Sequence, residues 1–253
     1  MLSASASFLG RFSGRFVMGL GLIWMRKRAE RFQVCVAGVE HLRNLKGAYL
    51  LVSNHVTPKV PIFGRFAHVR GIRQFNHSLD SFIYYRVVLQ ETGRRICTVA
   101  NCDRGWWSPR PFFRQLQKQI GQPFAKAQME AMGFIPVEGN PDCFQRDFLR
   151  SSAKRVGKGD PILIFPEGIN YEEFDFDHNL RPGAAHLAKR FHLPVVPAYI
   201  NGSDSWQPAK PIYVRFGEAF TIEGLDKKEI ADRIGREIER LMRSHQAQHA
   251  CSW

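Results

Sequence analysis

Two short stretches of this chain bring proton-handling side chains to what read as strand ends. Val52-Ser53-Asn54-His55 delivers an imidazole at the close of an apolar run. With its ordinary pKa near neutrality, an imidazole is suited to general base work. Ile164-Phe165-Pro166-Glu167-Gly168 runs from a buried-strand pattern into a proline, an acid and a glycine. Ligands sit at strand ends in open α/β sheets, glycine allows close backbone approach, and a glutamate there can accept a hydrogen bond from a substrate hydroxyl. Each stretch alone also has a plain explanation, since acids are common in turns and loop histidines are often structural. A competing pair is Asn76-His77, with Asp80 three residues on. That spacing permits a side-chain contact at a helix start, where an aspartate is also an ordinary cap.

These side chains need a scaffold, and the hydrophobic pattern supplies one. Phe32 to Val36 alternates like a half-buried strand, and Ala48 to Ser53 is a continuous apolar run that reads as a central strand. Further strands are expected at Ile96 to Ala100, Phe134 to Val137, Pro161 to Phe165, Pro194 to Ile200 and Ile212 to Phe216. Helices are expected at Leu79 to Gln90, Pro111 to Met132, Cys143 to Val156, Pro182 to Phe191 and Lys227 to His245, the last with Ile230, Ile234, Ile238, Leu241 and Met242 on one stripe. Strands alternating with helices predict an α/β fold with a mixed, mostly parallel sheet flanked by helices. The stretch from Val56 to Asn76 is rich in Pro, Gly and Arg without periodicity, and so long a loop inside a compact domain is usually functional.

A chain of 253 residues with 44% hydrophobic content suffices for one α/β domain with a buried core and is short for two. The formal charge of +13 calls for a polyanionic partner: nucleic acid, an anionic membrane surface or phosphorylated substrates. Cys35, Cys97, Cys102, Cys143 and Cys251 are odd in number and scattered, which argues against a disulfide framework or a structural zinc site. Residues 1–30 carry Phe12, Phe16, Val17, Leu20, Ile23 and Trp24 at near-helical spacing, closed by Arg26, Lys27 and Arg28. The apolar run there is about half of the roughly 20 residues that a spanning helix needs. It reads as an amphipathic helix, packed on a core or lying in a lipid headgroup layer, ahead of a single domain over 31–253. A basic cluster where a cleavage site should stand weighs against a signal peptide.

Taken in order, these pieces resemble the glycerolipid acyltransferase family. Its signature is a strand leading to N-H-x-x-x-x-D, then a second strand motif, then F-P-E-G, then a V-P strand. Leu51 to His55 resembles the lead-in, Gly133 to Val137 the second motif, Phe165 to Gly168 the third in full, and Pro194 to Ala198 the fourth. Where the family has its aspartate, five residues after the histidine, stands Val60; Asp80 is the nearest family-like acid, so 56–77 reads as an insertion between base and acid. The arginines that in the family end the second motif and follow F-P-E-G are replaced here by Glu138-Gly139 and Ile169-Asn170.

The resemblance implies a membrane-associated O-acyltransferase of phospholipid biosynthesis. It would move a fatty acyl group from acyl-CoA or an acyl carrier protein to a hydroxyl of a lysophospholipid or related lipid. His55, or His77, is the implied base and Asp80 the residue that orients it; Glu167, Gly168, Asn170 and Arg181 are the implied acceptor-binding residues. No metal, cofactor, nucleic-acid partner or covalent acyl-enzyme is expected, and the expected location is peripheral or monotopic on the cytoplasmic face of a membrane. With the arginines missing, a glycerol-phosphate headgroup is less expected; the aromatic and acidic stretch Tyr171 to Asp177 would suit a cationic or neutral one. Arg104, Arg110 and Arg114, interleaved with Trp106, Trp107, Phe112 and Phe113, would suit lipid headgroups or an acidic carrier. Two rivals stand beside this reading. One is a non-catalytic lipid-binding relative, and the other a basic nucleic-acid-binding module, which leaves F-P-E-G unexplained. A serine hydrolase lacks its G-x-S-x-G elbow.

Overall fold

The computed structural model describes residues 31–56, 79–101, 126, 127, 129, 130, 133–137, 141–167, 180–205 and 210–250. Seven strands are formed: β1 Val34–Ala37, β2 Leu50–Ser53, β3 Cys97–Asn101, β4 Ile135–Val137, β5 Ile162–Ile164, β6 Val195–Asn201 and β7 Ile212–Phe216. The helices are α1 Glu40–Arg43, α2 Leu79–Thr92, α3 Pro141–Val156, α4 Gly183–Phe191 and α5 Lys227–Ala250. The expected strands all form within a residue or two of their expected places. Of the helix expected over 111–132, residues 126, 127, 129 and 130 are described, and they are helical. The four-residue α1 is too short to leave a periodic signal.

The strands make one sheet in the order β1-β7-β6-β2-β5-β3-β4. Every pair is parallel except β6 with β7, which run antiparallel. The expected mixed, mostly parallel α/β sheet is what forms. β2 lies between β5 and β6, registering Leu51 against both Leu163 and Val196. The chain builds β3, β4 and β5 on one side of β2 and β6 and β7 on the other. The carboxyl end of β2 therefore lies at a topological switch point, where open sheets hold ligands.

Alternate residues of β2 feed two separate cores, as a strand buried on both faces requires. Leu51 packs in a cluster with Leu79, Ile83, Val87 and Val88 of α2 and with Val214 and Phe216 of β7. Leu50 and Val52 pack in the other, with Ala184, Ala185, Leu187 and Ala188 of α4 and Ile230, Ile234 and Ile238 of α5. The apolar stripe expected on the last helix is thus the face that covers the sheet.

Local chemistry sets the ends of these elements. α5 starts at a capping box: Asp226 Oδ1 accepts from the N–H groups of Lys228 and Glu229, and Glu229 Oε2 accepts from the N–H of Asp226 at 2.6 Å. α4 stops where His192 turns left-handed, with φ of 50°. After β1, Gly38 has φ of +77°, and a Cβ there would run into the carbonyl oxygen of Phe216 on β7. Only glycine lets the chain leave β1 this close to its neighbour. Among the described residues no helix is long and apolar enough to cross a membrane.

Candidate active site

The carboxyl ends of β2 and β5 and the first turn of α2 meet around His55. Its Nδ1 lies 2.8 Å from Asp80 Oδ2, which also accepts the N–H of Val56 at 2.8 Å. A carboxylate only accepts, so the imidazole proton on that side must sit on Nδ1. The lone pair is then on Nε2, the nitrogen left to take a proton from a substrate. Asp80 is 1% exposed, and it lies in the first turn of α2, where the helix dipole favours a negative charge. The His55 side chain keeps 13% exposure, enough for one edge of the ring to be reached.

The third motif grips the same histidine from β5. The Phe165 ring stacks on the imidazole with centroids 4.1 Å apart and planes 15° from parallel. Glu167 Oε1 accepts the backbone N–H of His55 at 2.7 Å. Glu167 is buried, and its Oε2 has no hydrogen-bond partner among the described residues. Burial is the main reason its pKa is pushed up to about 8; the bond from His55 lowers it and nearby Asp80 raises it further.

The end of β2 is itself fastened from both sides. Asn54 Nδ2 donates to the carbonyl of Ile200 on β6, and Asn54 Oδ1 accepts the N–H of Ile200, both at 2.9 Å. A side-chain amide so continues the β2–β6 ladder one step past the strand. Ser53 Oγ lies 2.6 Å from Tyr84 Oη of α2, with both groups buried. Burial and the neighbouring Asp80 raise the Tyr84 phenol well above its ordinary range, while the Ser53 bond opposes them, so it stays a neutral hydroxyl.

Of the residues expected at the site, His55, Asp80 and Glu167 come together. Arg181 is exposed, and its N–H donates to the Pro166 carbonyl at 2.8 Å, which ties it to the turn that carries Glu167. His77, Gly168 and Asn170 lie outside the described residues, as do the helix expected over 1–30, the 104–114 arginines and aromatics, and Tyr171 to Asp177. Asp80 does not serve as an ordinary cap of α2: its Oδ2 reaches back to the strand end, and its Oδ1 has no hydrogen-bond partner among the described residues. Sequence reasoning missed the clamp of Asn54 and the stack of Phe165, although both residues stand inside motifs already singled out. Among the described residues no three His, Cys, Asp or Glu side chains gather to hold a metal ion.

Residues 79–201 match the family described as Acyltransferase. The matched stretch holds Asp80 and Glu167 and begins after His55. Among solved structures, the chain is similar to the 1-acyl-sn-glycerophosphate (LPA) acyltransferase PlsC from Thermotoga maritima. The TM-score is 0.50 at 13% identity, with 94% of this chain and 80% of that one covered. At that identity the likeness is one of fold. No curated protein matches the chain.

Proposed function

We infer that this chain, which belongs to the acyltransferase family, transfers a fatty acyl group from a thioester donor to a hydroxyl of a lysophospholipid or related lipid, with His55 as the general base. The observation that carries this reading is the 2.8 Å contact between His55 Nδ1 and Asp80 Oδ2, made across the insertion that separates them in sequence.

In the proposed reaction the acceptor hydroxyl gives its proton to His55 Nε2 as its oxygen attacks the thioester carbonyl. Asp80 fixes the tautomer and stabilises the imidazolium that forms. The carbon–sulfur bond then breaks, and the imidazolium returns the proton to the departing thiolate. One ester and one free thiol result, with no acyl-enzyme. Acyl-CoA or an acyl carrier protein supplies the thioester. The chain's +13 charge supports work at an anionic membrane surface, on its cytoplasmic face, with residues 1–30 as the amphipathic contact. Gly168, Asn170 and Arg181 are the residues proposed to meet the acceptor.

The test is transfer of label from acyl-CoA and acyl carrier protein thioesters into a panel of lysophospholipids and amino-lipids. Wild type is run beside His55→Ala, His77→Ala and Asp80→Ala. Turnover that survives in His77→Ala and disappears in the other two supports the reading. Loss in His77→Ala with survival in His55→Ala would move the base to His77. A wild type that binds lipid but transfers nothing would make the chain a lipid-binding relative.

A further inference from the structure

Glu167 stands in the motif expected to meet the acceptor, yet its carboxyl is occupied and enclosed. One oxygen accepts the backbone N–H of His55 at 2.7 Å. The whole residue is 7% exposed, and its second oxygen is buried with no hydrogen-bond partner among the described residues. A carboxylate that grips a headgroup must turn an edge to the pocket, and this one turns its edge to the peptide of the base. The preceding Phe165 stacks on the imidazole itself. The turn after β5 thus holds His55 at two points, ring and backbone, while Asp80 from α2 holds a third.

We propose that Glu167 is a positioning residue that fixes the backbone of His55, and through it the direction of Nε2, and that it does not contact the lipid acceptor. The proposal rests on His55 being the base. The raised pKa suits this role. A protonated carboxyl still offers its carbonyl oxygen to the N–H of His55, and it places no second negative charge beside Asp80, the other carboxyl facing the imidazole. A glutamine at this place keeps one accepting oxygen for the His55 N–H, puts an NH2 where the second oxygen stood, and can never ionise.

The experiment is steady-state kinetics of the full chain on the acceptor found by the lipid panel, comparing wild type, Glu167→Ala and Glu167→Gln. In the Ala variant we expect kcat to fall about 10- to 100-fold, the scale of a misplaced base, with KM for the acceptor within about threefold of wild type. Glu167→Gln should recover kcat to within about fivefold, with KM again flat. Its pH profile should lack an inflection that wild type shows near pH 8. Hydrogen exchange should show the His55 amide losing protection in Ala and keeping it in Gln. A rise of tenfold or more in acceptor KM in both variants would overturn the proposal in favour of a direct acceptor contact. If the Ala variant does not fold, the Gln variant decides alone by the same split between KM and kcat. Turnover surviving in His55→Ala would instead defeat the base assignment, an outcome separate from any result at Glu167.

Discussion

The side-chain amide of Asn54 pairs with the peptide groups of Ile200 as another strand residue would, giving a hydrogen bond to the carbonyl and taking one from the N–H, each at 2.9 Å. His55 follows directly, so the imidazole starts from a backbone pinned to the central strands. Asn54→Ala leaves two buried backbone groups without partners and should cost on the order of 3 kcal/mol. Urea denaturation reads that loss, and kcat should fall with it because the base loses its anchor. Asn54→Asp keeps the acceptor but turns an oxygen toward the Ile200 carbonyl, so its stability at pH 7 should be no better than that of the Ala variant.

Asp80→Asn tests orientation apart from packing, since the two side chains are nearly the same shape. An amide can present its N–H to Nδ1, which would move the imidazole proton to Nε2 and remove the basic lone pair. A fall in kcat of about 10²- to 10⁴-fold is expected with the fold retained. Circular dichroism beside the kinetics checks both halves. An unaffected kcat would mean that the tautomer does not matter to turnover.

Glu167 gives the fold a pH dependence whose sign follows from its raised pKa. The unfolded chain releases this proton near the ordinary carboxyl value of 4.5, while the folded chain holds it until about pH 8. Between those values the native state binds more protons than the unfolded state, so the stabilising contribution present below pH 4.5 is lost as pH rises through about 8. Every tenfold difference in proton affinity between the two states is worth about 1.4 kcal/mol. Thermal melts from pH 5 to 8 should therefore show wild type losing stability relative to Glu167→Gln. Parallel curves for the two proteins would refute the assignment.

Gly38→Ala should damage the fold without touching the site. The new methyl meets the Phe216 carbonyl oxygen, and the backbone at φ of +77° is one that alanine resists. A loss of about 2 kcal/mol or more is expected, read as a lower denaturation midpoint. The kcat of the molecules that remain folded should be unchanged, because β1 lies at the far edge of the sheet from β5.

The strands were legible because burial on both faces leaves a mark in composition. Leu50 to Ser53 and Ile162 to Ile164 are short apolar runs, and every residue in them is buried. Ile212 to Phe216 alternates between buried and half-buried residues, the period that sequence displays most openly. The site was legible only in part. His55 and Asp80 each stood at a readable element end, but their pairing spans 25 residues and came from resemblance to a family rather than from spacing. Nothing local in the sequence marks the contacts between Asn54 and Ile200, or between Glu167 and the His55 peptide, which span 146 and 112 residues. Such bonds are chosen by sheet order, and hydrophobic pattern does not encode which strand lies beside which. The apolar stripe predicts the helix after β7 only as far as His245, and it runs to Ala250, since the polar residues between them contain no glycine or proline to stop it.

The place of β1 beside β7 joins the first described strand to the last. On a ribosome, the segment around Val34 must therefore wait, unpaired, until the chain through Phe216 has emerged. The catalytic corner waits almost as long, because the partner of Asn54 is Ile200 on the penultimate strand. A polypeptide cut short before β6 would carry His55 and Asp80 without the frame that aligns them. Synthesis itself thus delays the reactive imidazole until nearly the whole protein has been made.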